Sequence, residues 1–101
     1  MQDDARIISE EIFGPVAPIT PFASEAEVIA RANASPVGLA GYVFTSDFSQ
    51  AHRLMRDLEL GMIGVNTLVL GRREAPFGGT KYSGIGREGG TNGIYEFMEQ
   101  K

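Results

Sequence analysis

The stretch from Ala75 to Gly90, APFGGTKYSGIGREGG, constrains the chain more than any other, because six of its thirteen glycines fall between Gly78 and Gly90. Glycine loses more backbone freedom on folding than any other residue, and it is retained where φ is positive or where another surface lies against the main chain. A loop of this kind walls a site. Phe77, Lys81, Ser83, Arg87 and Glu88 give that wall an aromatic face, two cations, a hydroxyl and a carboxylate.

Gly84-Ile85-Gly86-Arg87-Glu88-Gly89 has the G-x-G-x-x-G spacing of a loop that holds a dinucleotide pyrophosphate. That reading makes the chain a small nucleotide-binding module. The context opposes it, since the fingerprint needs a buried strand before it, a helix after it and an acidic residue about 20 positions on. Lys81-Tyr82-Ser83 does not read as a buried strand, and the sequence stops at Lys101. No Gly-Lys-Ser/Thr is present for a Walker-type loop.

A chain of 101 residues with 43% apolar content supports one domain at most and buries a modest share of its surface. A net charge of -4 with dispersed arginines offers no basic stripe to nucleic acid. No apolar run approaches the ~20 residues of a membrane span, and Met1-Gln2-Asp3-Asp4 is acidic where a signal peptide is basic, so the chain reads as cytoplasmic. With no cysteine and one histidine, it supplies no thiolate nucleophile, no disulfide and no zinc or histidine-cluster site.

In chain order, Glu10-Glu11-Ile12-Phe13-Gly14-Pro15 sets two carboxylates beside an aromatic ring and a Gly-Pro break. This is either a turn that aims side chains or a solvated surface turn. Val16 to Phe22 is apolar and β-leaning, but Pro18 and Pro21 lack ladder donors, which makes it an edge strand or an extended segment. Ser24-Glu25-Ala26-Glu27 has capping-box spacing and predicts a helix with a Val28, Ile29, Ala32 stripe, stopped between Asn33 and Pro36. Tyr42 to Thr45 reads as a strand. Ser46 or Asp47 caps a second helix whose core stripe is Ala51, Leu54, Met55 and Leu58. His52 falls on its solvent shoulder, outside any catalytic role. Gly61 reads as a left-handed C-cap, Met62 to Val65 as a buried strand, Thr67 to Arg73 as a loop, and Tyr95 to Lys101 as helix or strand.

The expected fold is therefore α/β: a parallel three-stranded β-α-β-α-β unit followed by the long glycine-rich loop. Three strands are few for a parallel sheet, which normally has both faces covered, so the unit reads as the end of a larger domain.

Taken together, Glu11-Ile12-Phe13-Gly14-Pro15 and Pro76-Phe77-Gly78-Gly79, with Lys81, Ser83-Gly84 and Gly86-Arg87-Glu88, resemble the C-terminal part of the catalytic domain of an NAD(P)-dependent aldehyde dehydrogenase. The resemblance covers nearly all of residues 1–101, because Gly61 to Asn66, GMIGVN, also matches the strand preceding the family's substrate loop. Within the family, GMIGVN, the glycine-rich stretch and GIYEF are most similar to succinate-semialdehyde dehydrogenases.

By that resemblance, Glu11 matches the glutamate that holds the nicotinamide ribose hydroxyls and Phe13 the aromatic near the nicotinamide ring. Phe77 matches the aromatic lining the aldehyde entrance, and Thr67 to Arg73 the substrate loop. The semialdehyde-specific serine of that loop is missing, which leaves Arg72 or Arg73 to hold a distal carboxylate. No catalytic residue is carried over: the family's nucleophilic cysteine, its glutamate base and its oxyanion asparagine belong to segments upstream of the E-x-F-G-P motif. The resemblance thus implies a parent enzyme that oxidises an aldehyde with NAD or NADP, and that forms a homo-oligomer through a strand following Lys101. This chain alone would be inactive and would not bind the cofactor tightly. The alternative is a free-standing, non-catalytic protein that binds a partner through exposed sheet and helix faces.

Overall fold

The computed structural model describes residues 5–101, and the acidic start from Met1 to Asp4 lies outside them. The order is α1 (Arg6–Ser9), α2 (Glu25–Asn33), β1 (Val37–Gly38), β2 (Ala40–Val43), α3 (Phe48–Asp57), β3 (Met62–Val65), β4 (Thr80–Lys81) and a short 3-10 helix, Gly93–Phe97.

Both long helices start where local chemistry dictates. Ser24 Oγ accepts the Glu27 amide at 3.2 Å, and the Glu27 carboxylate reaches one residue past the cap to accept the Ala23 amide at 2.8 Å. Of the two candidates for the second cap, Asp47 fills it, accepting the Ser49 amide at 2.8 Å. A bidentate ion pair joins the helices: Arg53 Nε and Nη2 donate to Glu25 Oε1 and Oε2 at 2.6 and 2.9 Å, and Gln50 adds a bond at 3.2 Å.

β2, α3 and β3 form one β-α-β unit. Its strands pair in parallel, from Ala40 opposite Met62 to Val43 opposite Val65. Beyond β3, Asn66 takes φ 54°, and its side-chain amide exchanges bonds with the Thr45 backbone at 2.9 and 3.0 Å. Asparagine tolerates the left-handed region, so the pairing continues one step past the ladder. A separate antiparallel pair sets Val37 opposite Lys81 and Gly38 opposite Thr80.

The parallel sheet of the described residues thus has two strands where three are expected. Val16 to Phe22 runs extended without a ladder, with Ile19 80% exposed, as its two missing proline donors allow. Gly61 is also not a left-handed cap. The helix ends at Leu58 in extended conformation, and Gly61 is absent from the positive-φ residues. Its reason is close packing: a Cβ there would collide with the Gly78 carbonyl oxygen and sit 2.6 Å from Gly79 Cα. The tail forms the 3-10 helix to Phe97 and no regular element after it.

The buried core is small: Ala51 (6% exposed), Leu54 (8%) and Met62 (9%), where α3 lies on the sheet. Leu58 is half-buried, Met55 is 44% exposed and His52 is exposed, so the α3 stripe is narrower than its four-residue spacing suggests. On α2, Val28 and Ile29 are half-buried but Ala32 is exposed.

The Arg53 hydrogen bonds hold the Glu25 carboxyl below its ordinary range. A carboxyl depressed by folding stabilises above its unfolded pKa, and that stability is lost as pH falls through the folded one. Glu25→Gln should therefore lower the thermal midpoint near neutral pH, and its gap from wild type should shrink as pH falls below the ordinary carboxylate range. A gap constant across thermal scans at several pH values would show that the pair contributes no charge-dependent stability.

Candidate functional site

The site begins at the single turn α1. Glu10 closes it, its amide bonding the Arg6 carbonyl at 2.8 Å, and this places the Glu10 carboxylate against the Arg6 guanidinium four residues back. Arg6 Nε and Nη2 donate to Glu10 at 2.9 and 2.8 Å. Glu11, one residue on, makes no hydrogen bond or ion pair among the described residues. The turn thus separates the two carboxylates, one occupied by Arg6 and the other available to accept a ligand's hydroxyls.

Glu11 lies on the rim of a cleft of about 470 Å³ whose walls include Ser35, Val37 to Ala40, Leu60, Tyr82 and Ser83. Phe13, past the turn, is 95% exposed and is left almost wholly uncovered by the described residues. The Val16 amide bonds the Gly14 carbonyl at 2.8 Å, a tight reversal that carries the following segment away.

The second half of the site is the glycine-rich loop. Phe77 and Glu88 pair their backbones in an isolated antiparallel bridge, with bonds of 2.7 and 2.9 Å. Inside that bridge, Arg87 Nη1 donates to the Gly79 and Gly86 carbonyls at 2.7 and 2.9 Å. Arg87 is therefore a clamp on the loop's own backbone. Phe77 lies in a cleft of about 350 Å³ with Leu39, the loop glycines, Ser83, Glu88, Glu96 and Phe97. Leu39 and Ser83 line this cleft and the Glu11 cleft alike, so the two are neighbours across one wall. Ser83 is fixed in that wall because its Oγ accepts the Gly38 amide at 3.0 Å.

The G-x-G-x-x-G stretch lacks the setting of a pyrophosphate loop. It leaves a turn after β4, and its last glycine, Gly89, and the Gly90 that follows are both at positive φ before a five-residue 3-10 helix. Arg72 and Arg73 are exposed, and neither guanidinium makes a bond among the described residues. The Arg73 carbonyl accepts the Gly90 amide at 2.9 Å, which stitches the end of the 67–73 loop to the glycine-rich segment. Neither arginine lines the Phe77 cleft. Glu96 and Phe97 do, although sequence reasoning left them in an unassigned tail; only the fold-back of the 3-10 helix brings them there. Among the described residues, no group of three or more His, Cys, Asp and Glu could hold a metal ion, and no helix is long and apolar enough to cross a membrane.

The comparisons with known proteins agree on one family. The model of the aldehyde dehydrogenase family matches residues 1–101. Succinate-semialdehyde dehydrogenase of Paenarthrobacter nicotinovorans is 48% identical over 94% of this chain and 21% of its own length. 3-Sulfolactaldehyde dehydrogenase of Pseudomonas putida is 48% identical over 95% of this chain and 20% of its own. An aldehyde dehydrogenase of Bacillus cereus, solved as an NAD+ complex, superposes with a TM-score of 0.92 at 44% identity, over 98% of this chain and 20% of that one. The chain thus spans about a fifth of the length of the relatives it matches. On the family match over its whole length, together with relatives near half identity, the chain belongs to the aldehyde dehydrogenase family.

Proposed function

We propose that this chain is the C-terminal part of the catalytic domain of an NAD(P)-dependent aldehyde dehydrogenase acting on an aldehyde with a distal anionic group, succinate semialdehyde foremost. The observation that carries the reading is the unpaired Glu11 carboxylate on a cleft that shares Leu39 and Ser83 with the cleft of Phe77. Glu11 accepts the two nicotinamide ribose hydroxyls, an exposed Phe13 limits the travel of the nicotinamide ring, and Phe77 walls the aldehyde's approach. When bound, NAD(P) accepts the hydride from the aldehyde carbon.

This chain has no cysteine, so the nucleophile comes from another segment of the polypeptide. Phe13 at 95% exposure, Ile85 at 93% and Phe97 at 86% are surfaces that such segments would cover. Both named relatives act on aldehydes that carry an anion, a carboxylate in one and a sulfonate in the other. The exposed guanidiniums of Arg72 and Arg73 suit either by bidentate bonding.

In a polypeptide of the relatives' length, the pair Arg72→Met and Arg73→Met should raise the KM for succinate semialdehyde about tenfold, one charge-assisted contact's worth. The KM for propanal should not change. Equal effects on both aldehydes, or none on either, would remove the arginines from anion binding.

A further inference from the structure

We infer that Lys81 is a positioning residue that holds β4, four residues beyond Phe77, in register with the two helix ends, and thereby sets the shape of the aldehyde entrance; this rests on the proposed role of Phe77. Lys81 adopts φ 55°, one of two non-glycine residues at positive φ among those described. An L-residue stays in that region only where its surroundings over-determine it.

The surroundings are specific. An ammonium has three N–H donors, and the Lys81 Nζ has three acceptors: the Asn33 carbonyl at 2.7 Å, the Ser35 carbonyl at 3.1 Å and Glu59 Oε2 at 2.8 Å. With its side chain only 23% exposed, this lysine has no donor left for a ligand. Its acceptors belong to a knot that exists apart from it. Asn33 Nδ2 donates to the Asp57 carbonyl at 2.8 Å and its Oδ1 accepts the Glu59 amide at 2.9 Å, so the C-terminal ends of α2 and α3 are already joined. Helix C-terminal ends present carbonyls without intrahelical partners, where a cation is favoured.

The lysine connects that knot to the site. β4 is two residues long; besides its pairing with β1, the Thr80 hydroxyl lies 3.3 and 3.2 Å from the Gly38 and Glu59 carbonyls and the Tyr82 amide bonds the Pro36 carbonyl at 3.1 Å, so the Lys81 ammonium is the charged member of its tether. Four residues upstream lies Phe77, and the intervening Gly78 and Gly79 press on Gly61 so closely that no Cβ fits between. A chain packed without slack transmits a shift at Lys81 to Phe77.

The test uses the polypeptide of the relatives' length with Lys81→Met, Lys81→Gly and Glu59→Gln. Lys81→Gly relieves the backbone but loses the ammonium, so it should behave like Lys81→Met. In both, amide exchange at Phe77 and Tyr82 should quicken about tenfold while the α3 amides hold, and the aldehyde KM should rise about tenfold with kcat and the cofactor KM within about twofold. Glu59→Gln, which leaves two carbonyl acceptors, should show the same pattern at smaller size. It decides the matter if both lysine variants unfold. Unchanged exchange, a silent Lys81→Gly, faster exchange with an unmoved aldehyde KM, or parallel losses in all three kinetic constants would overturn the inference. A wild-type polypeptide that oxidises no aldehyde would instead sink the proposed function and the entrance role with it, while the exchange data would still decide whether Lys81 tethers the strand.

Discussion

Gly61→Ala is expected to cost about 3 kcal/mol or more, the upper range for overpacking a site that cannot relax. A Cβ at Gly61 would meet backbone atoms of Gly78 and Gly79, 2.6 Å away at Gly79 Cα, and backbone cannot turn aside as a side-chain end can. Gly78 in turn faces Arg87 Cδ at 2.7 Å from its own added Cβ, so the layer behind it is equally closed. A loss of that size is a large part of the 5–15 kcal/mol that holds a typical domain together. Gly71 is the control, because nothing lies within 4 Å of a Cβ placed there and its φ is not positive. Gly71→Ala should be neutral or stabilising by about 0.4–1 kcal/mol. Denaturant midpoints of the two variants measure the contrast, and equal midpoints would mean that the glycine layers are not in contact in solution.

Glu11→Gln should weaken NAD(P) binding about tenfold to a hundredfold, since a hydrogen bond to a charged group contributes about 1.5–3 kcal/mol and each ~1.4 kcal/mol is a factor of ten. Glu10→Gln should leave cofactor affinity unchanged. Its carboxylate is held by Arg6 in an exposed i,i+4 pair that adds little to the turn. Cofactor titration of the two variants in a polypeptide of the relatives' length separates the adjacent glutamates. Equal losses in both, or a larger loss in Glu10→Gln, would show that the pairing seen at α1 does not decide which carboxylate meets the ribose.

The elements legible in the sequence are those decided within one turn of chain. Ser24 and Asp47 cap helices because a short oxygen side chain beside free amides is a local matter, and Met62 to Val65 is a strand because its β-leaning run is short and buried. Val16 to Phe22 shows the limit: its composition favours a strand, but a strand needs a partner, and none of the described residues is one. Gly61 shows another. A glycine after a helix and a glycine under a crossing loop look alike in sequence, and only the return of Gly78 and Gly79 tells them apart. At the site, the motif residues marked Glu11, Phe77 and Ser83, whereas Leu39, Glu96 and Phe97 join the wall from segments up to 58 positions apart, the separation of Leu39 and Phe97. The Arg6–Glu10 pairing that singles out Glu11 was present as an i,i+4 spacing, but its effect depended on α1 closing as a turn.

The most direct test of the central claim is NAD(P)H formation from succinate semialdehyde, followed by absorbance, for this 101-residue chain and for a polypeptide of the relatives' length containing it. The account predicts turnover by the longer polypeptide and none by the chain alone, which contributes Glu11, Phe13 and Phe77 but no thiol. Turnover by the chain alone, or a longer polypeptide that reduces neither NAD nor NADP with any aldehyde, would contradict it.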